Sequence, residues 1–359
     1  MADKISKLLK ADDKLVDEYM SVDDGYFDGF GLSEHIGFNF WNDEDNRYPA
    51  SIYVNPVKQN RMVVARCEHE DYLTGGYWSE MKPSYWNDAM RPDVDEIRFE
   101  IAVEGTGNVN YEIHTDCEWL SFSSIKGCVE KKDILKAYID RTRFSGEAEG
   151  LFTVEIDNET KDKAKVIVKA YNPTETDVKN AFWENDGYVS VMAEHYARKH
   201  DLDNGSFETL SPYGRAGSAI GVSPVTADFE GKADAPYVEY DIAVNEAADY
   251  NVLFYLAPTT PVVFESKQYL GYGANGEPMK VVNTVHDPGK PFFLSKQWEN
   301  EAISNVKLVQ SEINLKKGLN TIRFYGISPQ IILEKFVVYK KGMELPKSCL
   351  GPKESYYHR

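Results

Sequence analysis

Apolar residues between positions 2 and 20 recur three or four places apart, at Ile5, Leu8, Leu9, Leu15, Val16, Tyr19 and Met20, with Lys and Asp between them. The spacing predicts an amphipathic helix over 1–22, and because a helix this short is marginal alone in water, its apolar face needs a partner. From 23 to 94 periodicity fails. Tyr26, Phe27, Phe30, Phe38, Phe40, Trp41, Tyr77, Trp78, Tyr85 and Trp86 stand among Gly, Asn and Asp there, which predicts ordered loops and short strands that clamp onto a neighbouring domain. Near Asp95 the pattern turns to period two, through Ile97, Phe99 and Ile101, then Val109, Tyr111 and Ile113, then Phe152, Val154 and Ile156. Short alternating strands broken by Gly, Asn and Asp turns predict an antiparallel sandwich over 95–173. The break Tyr171-Asn172-Pro173-Thr174 reads as a linker. Beyond it YVSVMAEHY, YVEYDIAV, YNVLFYLAP, NTIRFYGI and IILEKFVVY are longer and more apolar, with Gly- and Pro-rich loops at 211–224 and 271–293. That arrangement predicts a jelly-roll β-sandwich over 174–345, followed by a tail over 346–359. The fold class is therefore mainly all-β, with helix concentrated at the N-terminus.

The chain has 359 residues, which at roughly 100 to 200 per domain allows two or three domains. Asp+Glu 58 against Lys+Arg 40 gives a net charge of -18, which repels phosphate backbones and makes nucleic acid an unsuitable partner. Hydrophobic residues at 42% and aromatics at 13% are enough to fill cores, so the chain is expected to fold as a soluble protein. No apolar run is long enough for a membrane span, and the first residues lack a signal-peptide core. The compartment is left open: cytoplasmic if the start is native, extracellular or periplasmic if the chain is excised from a secreted enzyme. Cys67, Cys117, Cys128 and Cys349 are too scattered for a disulfide framework and read as thiols.

Several motifs have bland readings that win. Gly271-Tyr272-Gly273-Ala274-Asn275-Gly276 fits the dinucleotide pattern GxGxxG, but turn and strand follow it where a helix N-terminus is required, so it reads as a hairpin. The trios Cys67, His69, Glu70 and His114, Asp116, Cys117 contain metal-ligand atoms without the paired spacing of a zinc site. The acid runs at 43–45 and 93–96 read as solvated loop charge. Aromatic rings among polar loops suit sugar binding, since a flat ring packs on a pyranose while Asn, Asp and Arg bind its hydroxyls. The candidates in the last domain are Tyr213, Tyr272, Phe292 and Trp298, with Arg215 beside the first.

Several stretches, taken in order, resemble the C-terminal region of glycoside hydrolase family 115, the xylan α-1,2-glucuronidases. They are His35-Ile36-Gly37-Phe38 with Trp41, Gly187 to Tyr196, Gly214-Arg215-Ala216-Gly217-Ser218, Tyr237-Val238-Glu239-Tyr240, Tyr255 to Thr259 and Pro329 to Lys335. Cys117-Glu118-Trp119-Leu120-Ser121 followed by Gly127 is also similar to bacterial immunoglobulin-like modules. The resemblance implies an immunoglobulin-like sandwich, then a carbohydrate-binding-like sandwich, without the (β/α)8 barrel that bears that family's catalytic acids. By resemblance to calcium-containing carbohydrate-binding modules, Glu194 and Glu334 would hold a structural calcium, although Glu334 stands where those modules usually have Asp. His35 and Trp41 would border the barrel's sugar pocket or pack between domains.

The leading expectation is a non-catalytic accessory region of a xylan α-glucuronidase, with no catalytic residues of its own. Its partners would be glucuronoxylan or related plant glycans, a catalytic barrel domain, and a second copy in a homodimer. Two readings stay open beside it: a complete small glycoside hydrolase acting on glucuronic-acid-substituted xylan, and a structural spacer or protein-interaction module.

Overall fold

In a β-strand successive side chains point to opposite faces, so each alternating run offers one apolar face to bury. The computed structural model describes residues 2–28, 60–67, 69, 72–74, 82–105, 107–157, 161–215, 217–261, 267–285, 296–346, 348 and 350–359. The alternating runs assemble there into two sandwiches with separate cores.

The first sandwich contains β1 (Arg61–Arg66), β2 (Tyr72–Thr74), β3 (Ser84–Trp86), β4 (Glu96–Glu104), β5 (Val109–Thr115), β6 (Leu120–Phe122), β7 (Lys126–Val129), β8 (Lys132–Ile139), β9 (Gly146–Ile156) and β10 (Lys163–Asn172). Its sheets run β2-β1-β4-β8-β6 and β3-β10-β9-β5-β7. Among the described residues of this sandwich, β3 on β10 is the one parallel pairing. Ile97, Phe99 and Ile101 of β4 face inward, and the rings of Trp86, Phe99 and Phe152 meet at 5.3 to 5.8 Å between the sheets. Strand content reaches back to Arg61, ahead of the alternation that begins near Asp95, because Met62 and Val64 give β1 too short a pattern to stand out.

The second sandwich contains β11 (Ala181–Trp183), β12 (Tyr188–Met192), β13 (Arg198–His200), β14 (Ser206–Tyr213), β15 (Gly217–Ser223), β16 (Tyr237–Val244), β17 (Ala248–Leu256), β18 (Tyr269–Ala274), β19 (Lys280–Asn283), β20 (Lys307–Leu315), β21 (Gly318–Tyr325), β22 (Leu333–Lys340) and β23 (Tyr357–His358). One sheet runs β19-β18-β21-β16-β11-β23 with β13 also on β16, and the other β14-β15-β22-β17-β20 with β12 also on β22. Phe254, Phe324, Phe336, Tyr240 and Tyr272 fill the space between them. The fold is mainly β, an immunoglobulin-like sandwich followed by one of jelly-roll type. Among the described residues no (β/α)8 barrel is present.

Local details follow the sequence closely. The GxGxxG stretch is the β18–β19 hairpin, turning through Asn275 and Gly276 at φ of 53° and 77°, the left-handed values that favour these two residue types. The helix Ala2–Met20 forms as expected, and it leaves Leu8 and Leu15 exposed. A helix not anticipated, Lys296–Ser304, follows the Gly- and Pro-rich loop. Cys67, Cys117 and Cys128 are free thiols, whereas Cys349 lies outside the described residues. No helix among the described residues is long and apolar enough to cross a membrane. Short β23 pairs antiparallel with β11 and so draws the C-terminal tail into the second sandwich.

Candidate functional site

Glu334 owes its position to a slip in strand pairing. Tyr255 and Leu256 of β17 face Lys335 and Leu333, so Glu334 is the extra residue of a β-bulge, a device that re-aims a side chain. Its buried carboxylate accepts the Arg215 backbone N–H at 2.9 Å and lies against Gly214, in the loop joining β14 to β15. Gly214 has φ +63°, and a Cβ there would stand 2.3 Å from the Glu334 carboxyl carbon, so both conformation and space require glycine. Burial raises the Tyr213 phenol, and the Glu334 charge raises it further. Glu334, Arg215, Tyr255 and Lys335 line a narrow slot.

Glu194 lies beside Glu334 in the chain's pairing, two residues past the end of β12, the strand that flanks β22. Ala193 donates its N–H to the Glu334 carbonyl at 3.0 Å, and the chain then crosses from β12 to β13, fixed by the buried Tyr240 hydroxyl on the Ala193 carbonyl at 2.6 Å. The two backbones are adjacent, but the Glu194 side chain lines a different hollow. Among the described residues no three His, Cys, Asp or Glu side chains converge as metal ligands. Calcium takes six to eight oxygens, and the Glu194–Glu334 pair, divided between two hollows with Glu334 engaged by a backbone N–H and neighboured by Lys335, does not fit that need.

The hollow that Glu194 lines is a cleft of about 630 Å³ where the two sandwiches meet. The tail builds one wall. Lys335 donates to the Pro352 carbonyl, the Ser190 hydroxyl donates to the same carbonyl at 3.1 Å, and the Ser355 N–H donates to the Ser190 carbonyl at 2.8 Å. Glu354, placed by these bonds, accepts the Met192 N–H at 2.8 Å and bonds His195 Nδ1 at 2.8 Å. From the first sandwich Arg91 reaches across to the Glu354 carbonyl at 2.6 Å and grips Asp93 through two bonds of 3.0 and 2.7 Å. Burial pulls the Asp93 carboxyl upward, yet the Arg91 guanidinium outweighs it and holds the group below its ordinary range. Burial, then the Asp93 charge, raises the Tyr356 phenol. Asp241 is desolvated too, but Arg198 and the Thr321 hydroxyl keep its carboxyl low.

The result is a cleft with oxygen acceptors at Glu194, Asp241 and Glu354, ring edges at Tyr196 and Tyr356, and cations at its border. Arg91 and His195 are committed to carboxylates, whereas Lys353 and Arg359 have no carboxylate among the described residues within 4 Å. Such a surface can bind a polyhydroxylated ligand carrying an anionic substituent.

The other sequence candidates fall elsewhere. Tyr272 is corrected outright: it is 2% exposed, packs on Phe254, donates its hydroxyl to the Glu312 carbonyl and pairs with the Ser311 hydroxyl, so its ring is core. Period-two alternation puts it inward, a signal that its glycine-rich neighbours obscured. Tyr213 and Arg215 share the Glu334 loop, and Trp298 lies half-buried on the helix Lys296–Ser304, away from the free loop expected of it. None of the three lines the cleft. His35, Trp41 and Phe292 lie outside the described residues. Lys353, Glu354, Tyr356 and Arg359 escaped sequence reasoning because GPKESYYHR is too short and too charged to read as anything but a tail.

Residues 181–354, essentially the second sandwich, match the model of the glycosyl hydrolase family 115 C-terminal domain. No curated protein matches the chain. Among solved structures the chain is similar to a family 35 carbohydrate binding module from Clostridium thermocellum, at 19% identity and TM-score 0.29 over 42% of this chain and 97% of that one. It is also similar to the C-terminal family 6 module of LamC, a marine laminarinase from Zobellia galactanivorans, at 15% identity and TM-score 0.28 over 43% and 99%. A third likeness is to a family GH115 4-O-methyl-α-glucuronidase with specificity for decorated arabinogalactans, at 12% identity and TM-score 0.30 over 48% of this chain and 19% of that enzyme. The chain thus spans about a fifth of the glucuronidase's length.

Proposed function

We propose that this chain is the accessory region of a xylan α-glucuronidase-type glycoside hydrolase, binding glucuronic-acid-decorated glycan in the inter-sandwich cleft and docking onto a separate catalytic barrel. The observation that carries the reading is the family 115 C-terminal match over the sandwich that supplies Glu194, Asp241 and Glu354. The chemistry of the cleft supports it. Carboxylates and phenols exchange hydrogen bonds with sugar hydroxyls, and Lys353 and Arg359 at the border can meet a uronate carboxylate. Hydrolysis is assigned to the partner barrel, because glycoside hydrolysis needs two carboxylates poised across one bond and, of the cleft acids, Asp93, Asp241 and Glu354 are already tied to Arg91, Arg198, Thr321, His195 and a backbone N–H.

The test is calorimetric titration of the purified chain with glucuronic-acid-substituted and plain xylo-oligosaccharides, with and without EDTA, while released glucuronic acid is assayed in the same mixtures. Expected is at least tenfold tighter binding of the substituted ligand, insensitive to EDTA, with no release. That preference should vanish in Lys353→Ala/Arg359→Ala. Released glucuronic acid would replace the accessory reading with an enzymatic one, equal binding of both ligands would remove the uronate from the cleft's recognition, and absent binding of both would leave a spacer.

A further inference from the structure

A second hollow between the sandwiches, of about 760 Å³, falls in the size range of small-ligand sites and has a different chemistry. We infer that it binds a short neutral oligosaccharide, with Tyr85 as the stacking ring and Asn87 as the group that reads a hydroxyl. The inference does not depend on Lys353 or Arg359.

Tyr85 is an outward residue on the edge strand β3: its neighbour Trp86 is buried at 1%, so alternation leaves the Tyr85 ring 52% exposed at the hollow. Lys169 lies 5.8 Å from the ring centroid and is itself tied to Glu149 at 2.8 Å, which steadies the ring from one side. Tyr171 and Trp183 form a fixed wall: their rings stand 6.1 Å apart, the Trp183 N–H donates to the Val178 carbonyl at 2.8 Å, and the Tyr171 hydroxyl donates to Asp177 at 2.9 Å. With their polar atoms engaged, they offer apolar surface.

Asn87 supplies the second observation. Its carboxamide oxygen is buried and has no hydrogen-bond donor among the described residues, a condition folded proteins rarely leave without a reason. Asn87 lines the hollow, and a turn of its carboxamide on ligand entry would bring that oxygen to a ligand hydroxyl. Charge selects the class of ligand: Glu147, Asp177, Glu184 and Asp186 outnumber Lys169 and Lys317 two to one on the lining, whereas in the first cleft four acids face three cations and His195, so an anionic sugar is disfavoured here. A cation is a poorer match than a hydroxyl, because Lys169 already sits at the ring and Asp177 and Glu184 already hold donors. An open ring, a fixed apolar wall and an unsatisfied amide together describe a neutral pyranose site.

The test titrates the whole chain with xylohexaose, cellohexaose and mannohexaose. At least one should bind saturably, and Tyr85→Ala should weaken that binding at least tenfold. Asn87→Ala should weaken it as well, while Lys353→Ala/Arg359→Ala should leave it within twofold. Because Tyr85 is exposed, the circular dichroism and melting of its variant should match the parent. Binding of none of the three oligosaccharides would overturn the inference. So would binding that Tyr85→Ala and Asn87→Ala leave unchanged, or a preference at this hollow for uronic-acid oligosaccharides that Tyr85→Ala abolishes.

Discussion

Replacing Gly214 by Ala should destabilise the second sandwich by about 2 to 5 kcal/mol, from two causes that a double-mutant cycle can separate. The first is the left-handed backbone at φ +63°, which costs an L-residue about 1 to 2 kcal/mol. The second is collision: the new Cβ would meet the Glu334 carboxyl atoms at 2.3 to 2.6 Å, so the carboxylate must move and give up the 2.9 Å bond from Arg215, at about 1 to 3 kcal/mol. Glu334→Ala alone also loses that bond. In the variant carrying both changes the bond cannot be lost twice and the collision is gone, so its destabilisation should fall short of the summed single effects by about 1 to 3 kcal/mol. With two cores in the chain a global unfolding curve can mix transitions, so the assay is native-state hydrogen exchange read on the β12 and β22 amides. Additivity within about 0.5 kcal/mol would refute the claim that Glu334 serves as the clamp of the Tyr213–Arg215 loop.

Arg141→Ala should lower the stability of the first sandwich by about 3 kcal/mol or more in thermal melts, because its guanidinium donates to the carbonyls of Ala89, Arg91, Val94 and Tyr171, which would be left without that donor. Burial pushes the Lys335 ammonium down to about 8, so between that value and 10.5 the unfolded chain binds more protons than the folded one. Stability of the second sandwich should therefore rise as pH increases through this window, by roughly 1 to 2 kcal/mol after allowance for solvent screening, and Lys335→Met should flatten the rise in urea titrations at stepped pH. Asp186 has its carboxyl raised by burial and by the Asp88 charge, so its ionised form penalises the fold at neutral pH. Asp186→Asn, which keeps a residue tolerant of φ 50°, should raise the urea midpoint at pH 7, with the gain shrinking as pH falls towards 4.

What could be read from the chain follows from where each signal is stored. The β4, β9, β16 and β17 runs alternate over eight residues or more, and their inward residues became part of the two cores. The short strands β1, β11 and β23 contain at most two buried residues each, too few for any period to emerge, and their identity is fixed only by the neighbour they pair with. The site followed the same division. Glu194 was singled out only through the resemblance to calcium-containing carbohydrate-binding modules, since a carboxylate two residues past β12 has no periodicity of its own. Tyr272 was misjudged because glycines on both sides made a core strand look like a loop. Glu334 was singled out as a calcium ligand by resemblance, but its contact with the Gly214–Arg215 loop was not, since the bulge that aims it arises from the register between β22 and β17, which no single strand encodes. The cleft itself joins Arg91, Glu194 and Glu354, separated by 263 residues between the first and last, through a backbone carbonyl and a buried lysine. A binding surface made where two domains and a tail meet is a property of their docking, and its chemistry becomes visible only once the docking is known.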